Sequence, residues 1–143
     1  MATLTSANSS FVISATQVYP APQPLQGYAA DDAFTLDALD LAETVMGVDG
    51  KLSAGYTPNP TNVNITIQAD SPSVETFDLL ISAMKTTREI VWIDAVVQLP
   101  STGAKYVLTR GVLKNANQMP DAKKILQPQK YVITFESVTK SVI

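Results

Sequence analysis

Six acids crowd one stretch of this 143-residue chain: Asp31, Asp32, Asp37, Asp40, Glu43 and Asp49, with no base among them. Carboxylates that converge from a flexible loop can hold calcium. The spacing does not match a helix–loop–helix calcium loop, and Asp37 and Asp40 fall within a strand pattern. A solvated or pore-facing acidic surface is the competing reading, and no metal site or cofactor is expected. Ser82 and Lys85 could in principle form a Ser–Lys hydrolase dyad, but their spacing is ordinary for one helix face. The chain has no histidine and no cysteine. Imidazole acid–base catalysis, thiolate chemistry and Cys/His zinc sites are therefore excluded. Gly103 and Gly111 do not make a phosphate-binding loop. The pair Lys123-Lys124 is too small for a nucleic-acid patch. No catalytic residue is expected, so function is sought in surfaces.

The elements that must carry those surfaces are mostly strands. Ser10 to Val18 alternates, with Phe11, Ile13 and Ala15 on one face. Three prolines in Tyr19-Pro-Ala-Pro-Gln-Pro predict a stiff extended connector. Ala33 to Leu41 starts as a strand with Phe34, Leu36 and Ala38 on one face and Thr35 and Asp37 on the other. The apolar phase then flips to Leu39 and Leu41, which predicts a bulge or a passage to a second buried surface. Asp49-Gly50, between strand-like arms, predicts a hairpin with both turn positions at positive φ. On its return arm Leu52, Ala54 and Tyr56 share a face. Asn62 to Asp70 is the clearest strand, with Val63, Ile65, Ile67 and Ala69 inward and Asn64, Thr66 and Gln68 outward.

A single helix is predicted over about 72–86. Ser71 is its cap, Pro72 its first helical residue, and Val74, Phe77, Leu80, Ile81 and Met84 its core-facing stripe. Ile90 to Leu99, Lys105 to Leu113 and Lys130 to Val138 read as further strands, the last with Tyr131, Ile133 and Phe135 inward. The fold class expected is mainly β, a sandwich or barrel of about seven or eight strands with one flanking helix. One domain over 1–143 is expected, with a flexible arm over 1–10.

Charged residues are 16% of the chain, low against a usual share of roughly a quarter. Burial of part of the surface in an oligomer and an uncharged polar surface both account for this. Charge is also segregated: seven acids and one base lie from Met1 to Asp70, and nine bases and six acids from Ser71 to Ile143. Opposite faces of opposite sign favour head-to-tail contact between copies. No apolar run approaches the ~20 residues of a membrane span, and the N-terminus lacks the pattern of a secretory signal. No membrane partner is expected, and assembly is expected in cytoplasm.

The order of these features resembles the tail tube proteins of long-tailed bacteriophages, above all those with contractile tails. The residues that carry the likeness are Ala33-Phe34-Thr35-Leu36 leading into Val45 to Lys51, then Val63 to Ile67, and the helix start Ser71-Pro72-Ser73. The strand bearing Gly111, a proline-bearing loop, and Tyr131 to Phe135 complete it. The likeness runs from about Phe11 to Val138, and the tube protein of type VI secretion shares the architecture. The resemblance implies a non-enzymatic structural subunit of the virion tail. Copies would form hexameric rings, stacked into a tube that conducts double-stranded DNA without binding it specifically. Sheath, tape-measure and baseplate proteins would be its partners. Asp37, Asp40, Asn64, Thr66 and Gln68 are lumen candidates. Asp49, Gly50 and Lys51, with Lys123 and Lys124, are candidates for contact between subunits and stacked rings. The alternative is a monomeric β-barrel that binds a ligand or peptide.

Overall fold

The computed structural model describes residues 9–15, 17–19, 21–25 and 34–142. The arm expected over 1–10, except Ser9 and Ser10, lies outside the described residues, as do Asp31 and Asp32. Among the described residues nine strands and one helix follow in order: β1 (Ser10–Ser14), β2 (Gln23–Pro24), β3 (Phe34–Leu36), β4 (Ala42–Met46), β5 (Leu52–Tyr56), β6 (Thr61–Ile67), α1 (Ser73–Thr87), β7 (Ile93–Leu99), β8 (Ala104–Ala116) and β9 (Gln129–Val142). Seven strands form one antiparallel sheet in the order β2-β1-β7-β8-β9-β6-β3, and β4 and β5 form a separate two-stranded sheet.

Period-two alternation decides which side of this sheet is dry. Phe11 and Ile13 of β1, Val63, Ile65 and Ile67 of β6, Ile93, Ala95 and Val97 of β7, and Tyr131, Ile133 and Phe135 of β9 are all buried in one core. The opposite face is polar along β6, as expected for an antiparallel sheet wetted on one side. The sheet curls far enough to bring its ends together. Phe11, second from one edge, meets Phe34, on the other edge strand, with ring centroids 5.3 Å apart in an edge-to-face pair. The barrel-like form of the expected fold is thus realised as one curled sheet.

Helix α1 covers the core. Its stripe buries Phe77 and Leu80 fully, with Val74, Ile81 and Met84 partly buried against the same cluster. Phe77 stacks on Tyr131 of β9, with centroids 4.1 Å apart. The Tyr19 hydroxyl donates to the Thr76 carbonyl and ties the β1–β2 connection to the helix. The helix begins one residue later than expected, with Pro72 as the cap residue. Ser71 still contributes, since its Oγ accepts from the Ser73 N–H at 3.2 Å. Arg88 ends the helix in the left-handed conformation, its N–H donating to the Met84 carbonyl at 2.8 Å.

Two expectations from the sequence are corrected. The proline connector does pair: Gln23 and Pro24 lie opposite Ile13 and Val12. Pro24 is tolerated because β2 is an edge strand, where a missing N–H costs no ladder bond. Of the strand expected over Ala33 to Leu41, Phe34–Leu36 lies in the sheet and residues 37–41 do not, Leu39 and Leu41 being exposed, while Ala33 lies outside the described residues.

Among the described residues one buried side-chain polar atom has no hydrogen-bond partner, the Tyr131 hydroxyl. Burial, and then the nearby Asp78 charge, push its pKa up to about 12 from 10.0. A buried donor left unpaired costs about 1–3 kcal/mol. Tyr131→Phe is therefore expected to leave stability unchanged or raise it by up to about 1 kcal/mol, measured by urea denaturation at pH 7. The unfolded phenol ionises near 10.0 and the folded one near 12, so this group's stabilisation is complete below that window and lost as pH rises through it. The variant should lack that part of the alkaline fall.

Candidate functional site

The β4–β5 hairpin is the most distinctive surface. All ten of its strand residues are exposed. Its register pairs Ala42 with Tyr56, Thr44 with Ala54 and Met46 with Leu52, which puts these six residues on one face. The other face carries Glu43, Val45, Ser53 and Gly55. The hairpin is thus amphipathic, yet its apolar face is open: Tyr56 is 77%, Met46 64% and Leu52 61% exposed. Its root is held by Thr57 N–H to the Leu41 carbonyl at 3.1 Å and by Asn59 Nδ2 to the Asp40 carbonyl at 2.9 Å.

The tip differs from the tight Asp-Gly turn that the sequence predicts. Gly50 N–H donates to the Gly47 carbonyl and Gly47 N–H to the Lys51 carbonyl, enclosing Val48, Asp49 and Gly50. Only Gly50 has positive φ, at 83°. A turn followed by one left-handed glycine suits a three-residue hairpin loop, with Asp49 freed from that strain. Asp49 instead accepts from the Lys51 N–H at 3.1 Å, so Asp49, Gly50 and Lys51 stand together at the exposed tip.

The lumen candidates are only partly brought together. On the outer face of β6 and β3, Asn64 Nδ2 donates to Asp37 Oδ1 at 2.8 Å, and Thr66 follows on the same face of β6. Asn62 extends this row by accepting from Thr134 Oγ1 at 2.7 Å. The row is uncharged except for Asp37. Asp40 lies apart, at the hairpin root. Gln68 lies beyond the end of β6 and lines a groove with Ala69, Asp70, Ile125, Leu126 and Pro128.

That groove belongs to the 117–128 loop, which carries the candidates Lys123 and Lys124. Both lysines are exposed, and so are Met119, Ile125 and Leu126. The exposed apolar residues of this loop escaped the sequence reading, although Ile125-Leu126 inside a proline-bounded polar segment is a visible signal. A surface cluster at a bulge also escaped it. Thr109 and Arg110 of β8 face the single residue Asp94 of β7, whose Oδ1 accepts from the Arg110 N–H at 2.9 Å. Arg110 takes positive φ, 53°, and its guanidinium lies 4.5 Å from the centroid of the Trp92 ring. Nothing in the residue types at 109–110 marks a bulge.

Among the described residues no group of His, Cys, Asp and Glu is arranged to hold a metal, and no helix is long and apolar enough to cross a membrane. The arrangement provides contact surfaces: an open apolar hairpin, a polar outer face and an apolar-basic loop.

A family model described as tail fiber protein gp32 matches residues 2–139. No curated protein sequence matches the chain. Solved structures share its fold at low identity. A chain of the anti-feeding prophage baseplate, solved by cryo-electron microscopy with sixfold symmetry imposed, superposes with a TM-score of 0.61 at 10% identity, covering 99% of this chain and 98% of that one. A chain of the anti-feeding prophage tube-terminating cap gives 0.58 at 11% identity, covering 100% and 93%. A chain of the sheath–tube complex of an extracellular contractile injection system gives 0.55 at 13% identity, covering 93% and 88%.

Proposed function

This chain belongs to the family described as tail fiber protein gp32, and from that membership and its tube-component fold we propose that it is a self-assembling subunit of a contractile tail tube. The observation that carries this reading is the β4–β5 hairpin. A folded chain that leaves Met46, Leu52 and Tyr56 open on one face has apolar burial still to complete. Copies of itself supply it. Closure into rings also answers the edge-strand problem at β2, whose outer edge has no strand partner among the described residues. The sixfold symmetry of the baseplate that holds one fold relative supports hexameric rings. Its sheath–tube counterpart supports a place inside a sheath. Tape-measure and baseplate proteins complete the set of proposed partners, in a virion tail assembled in the host cytoplasm.

The stacked rings conduct double-stranded DNA, and the row Asp37, Asn62, Asn64 and Thr66 lines the bore. Neutral polar groups with a sparse negative charge do not retain phosphates, so the genome slides past them. Asp37→Lys with Thr66→Lys, both on the bore row and outside the hairpin, is expected to leave tubes intact and to slow DNA ejection, followed by dye release from particles. Unchanged ejection would remove this wall from the lumen. A monomeric binding module is the second reading. It rests on a cavity of about 280 Å³ lined by Phe11, Phe34, Leu36, Val97, Tyr106 and Leu108, which is at the small end for ligand sites. Sedimentation separates the two: the tube subunit grows into larger species with concentration, and the binding module stays a monomer.

A further inference from the structure

The hairpin and the 117–128 loop stand at opposite ends of the sheet. In the β6–β9 pair Thr61 lies opposite Phe135 and Ile67 opposite Gln129. The hairpin joins β6 at its Thr61 end, and the loop enters β9 at its Gln129 end. Seven residues of β6 separate them, roughly 20 Å at strand rise. The hairpin segment from Asp40 to Pro60 has three acids (Asp40, Glu43 and Asp49) and one base, Lys51. The 117–128 loop at the opposite pole carries two bases, Lys123 and Lys124, against one acid, Asp121. Both poles expose apolar side chains, Met46, Val48 and Leu52 at one and Met119, Ile125 and Leu126 at the other.

We infer that the hairpin of one copy docks on the 117–128 loop of the next, its Val48 tip seated in the groove beside Ile125 and Leu126 and its acids facing Lys123 and Lys124. The contact rests on the tube-subunit reading and deepens it by naming the surfaces that stack. Its occupant is a second copy of this chain, because one molecule carries both complementary halves and cannot join its own. A contact between two different patches propagates head to tail and does not close as a twofold dimer. The opposite charges orient the approach, and their contribution is screened by salt.

The absence of native cysteine makes the test direct. Chains carrying Val48→Cys are mixed with chains carrying Ile125→Cys under mild oxidation, with each variant alone as control. Disulfide-linked dimers should form at least about tenfold faster in the mixture than in either control. Adding Lys123→Glu and Lys124→Glu to the Ile125→Cys chain should slow linking about tenfold, and Glu43→Lys in the other chain should restore part of the rate. Linking no faster in the mixture than in the controls would overturn the contact, as would a rate indifferent to the charge reversal. Electron microscopy of the unmodified chain separates this from the broader reading. Tubes without cross-linking would remove only the hairpin–loop contact, whereas a chain that never self-associates would remove both.

Discussion

A chain carrying Met46→Asp and Leu52→Asp is expected to fold with unchanged stability and to fail to assemble. The two side chains face each other across the hairpin and are 64% and 61% exposed. Replacing them removes little that the folded chain buries, so thermal unfolding should shift by no more than about 0.5 kcal/mol equivalent, the usual range for surface substitutions. In an assembly the same side chains would be buried against another copy. Each is worth about 1.5–3 kcal/mol when fully buried, and every 1.4 kcal/mol is about tenfold in an equilibrium constant. The critical concentration for assembly should therefore rise on the order of 10²–10⁴-fold, read by sedimentation velocity. Binding by a monomeric barrel makes the opposite forecast, since neither residue lines the apolar cavity between β3 and β8.

The second large effect lies at Gly111 and Phe135, which are opposite one another in β8 and β9. A Cβ on Gly111 would stand 2.5 Å from two carbons of the Phe135 ring and 3.1 Å from Ile133 Cγ2. The ring is fully buried and has nowhere to swing. This glycine is there for space, since its φ is not positive. Gly111→Ala should cost about 1–3 kcal/mol by overpacking. Phe135→Ala should cost about 3–5 kcal/mol by leaving a cavity. In the double variant the new methyl meets no ring, so the combined loss should fall below the sum by about 1 kcal/mol or more. Chemical denaturation of the four chains measures the cycle, and strict additivity would contradict the packing described.

These two sites show what could be read in the residues alone. Alternation placed Val63, Ile65, Ile67, Tyr131, Ile133 and Phe135 on the buried side because each strand has one dry face, and one dry face is a local property. The helical stripe of Phe77 and Leu80 was legible for the same reason. The crowding at Gly111 was not, because it depends on β8 pairing with β9 in one register. The curl was not legible either, since it needs the order of all seven strands. Leu39 and Leu41 signalled a change of surroundings through their flipped phase. The segment leaves the sheet there for the hairpin root, where both side chains are exposed, so among the described residues the flip marks neither a bulge nor a second buried surface. The proline connector hid a two-residue strand because edge pairing needs few N–H donors. Asp37 and Asn64 are 27 residues apart in sequence and joined by one hydrogen bond, whereas Asp40, grouped with them by charge, lies at the hairpin root, and Gln68, grouped by alternation, lies past the end of β6 beside the 117–128 loop.

The surfaces were legible in outline. Asp49-Gly50 marked the hairpin, and the share of Leu52, Ala54 and Tyr56 in one face followed from period two. The openness of that face could not be read, because an amphipathic hairpin ordinarily buries its apolar side in its own domain. The bulge at Arg110 had no signal, since a non-glycine residue at positive φ is held there by Asp94 and not by its own preference.

Electron microscopy of the purified full-length chain across a range of concentrations tests the central claim most directly. The account predicts rings at low concentration and stacked hollow tubes at high concentration, with the β4–β5 hairpin buried at contacts between copies. A monomer that persists at the highest concentration, with Met46, Leu52 and Tyr56 still open to solvent, would contradict it.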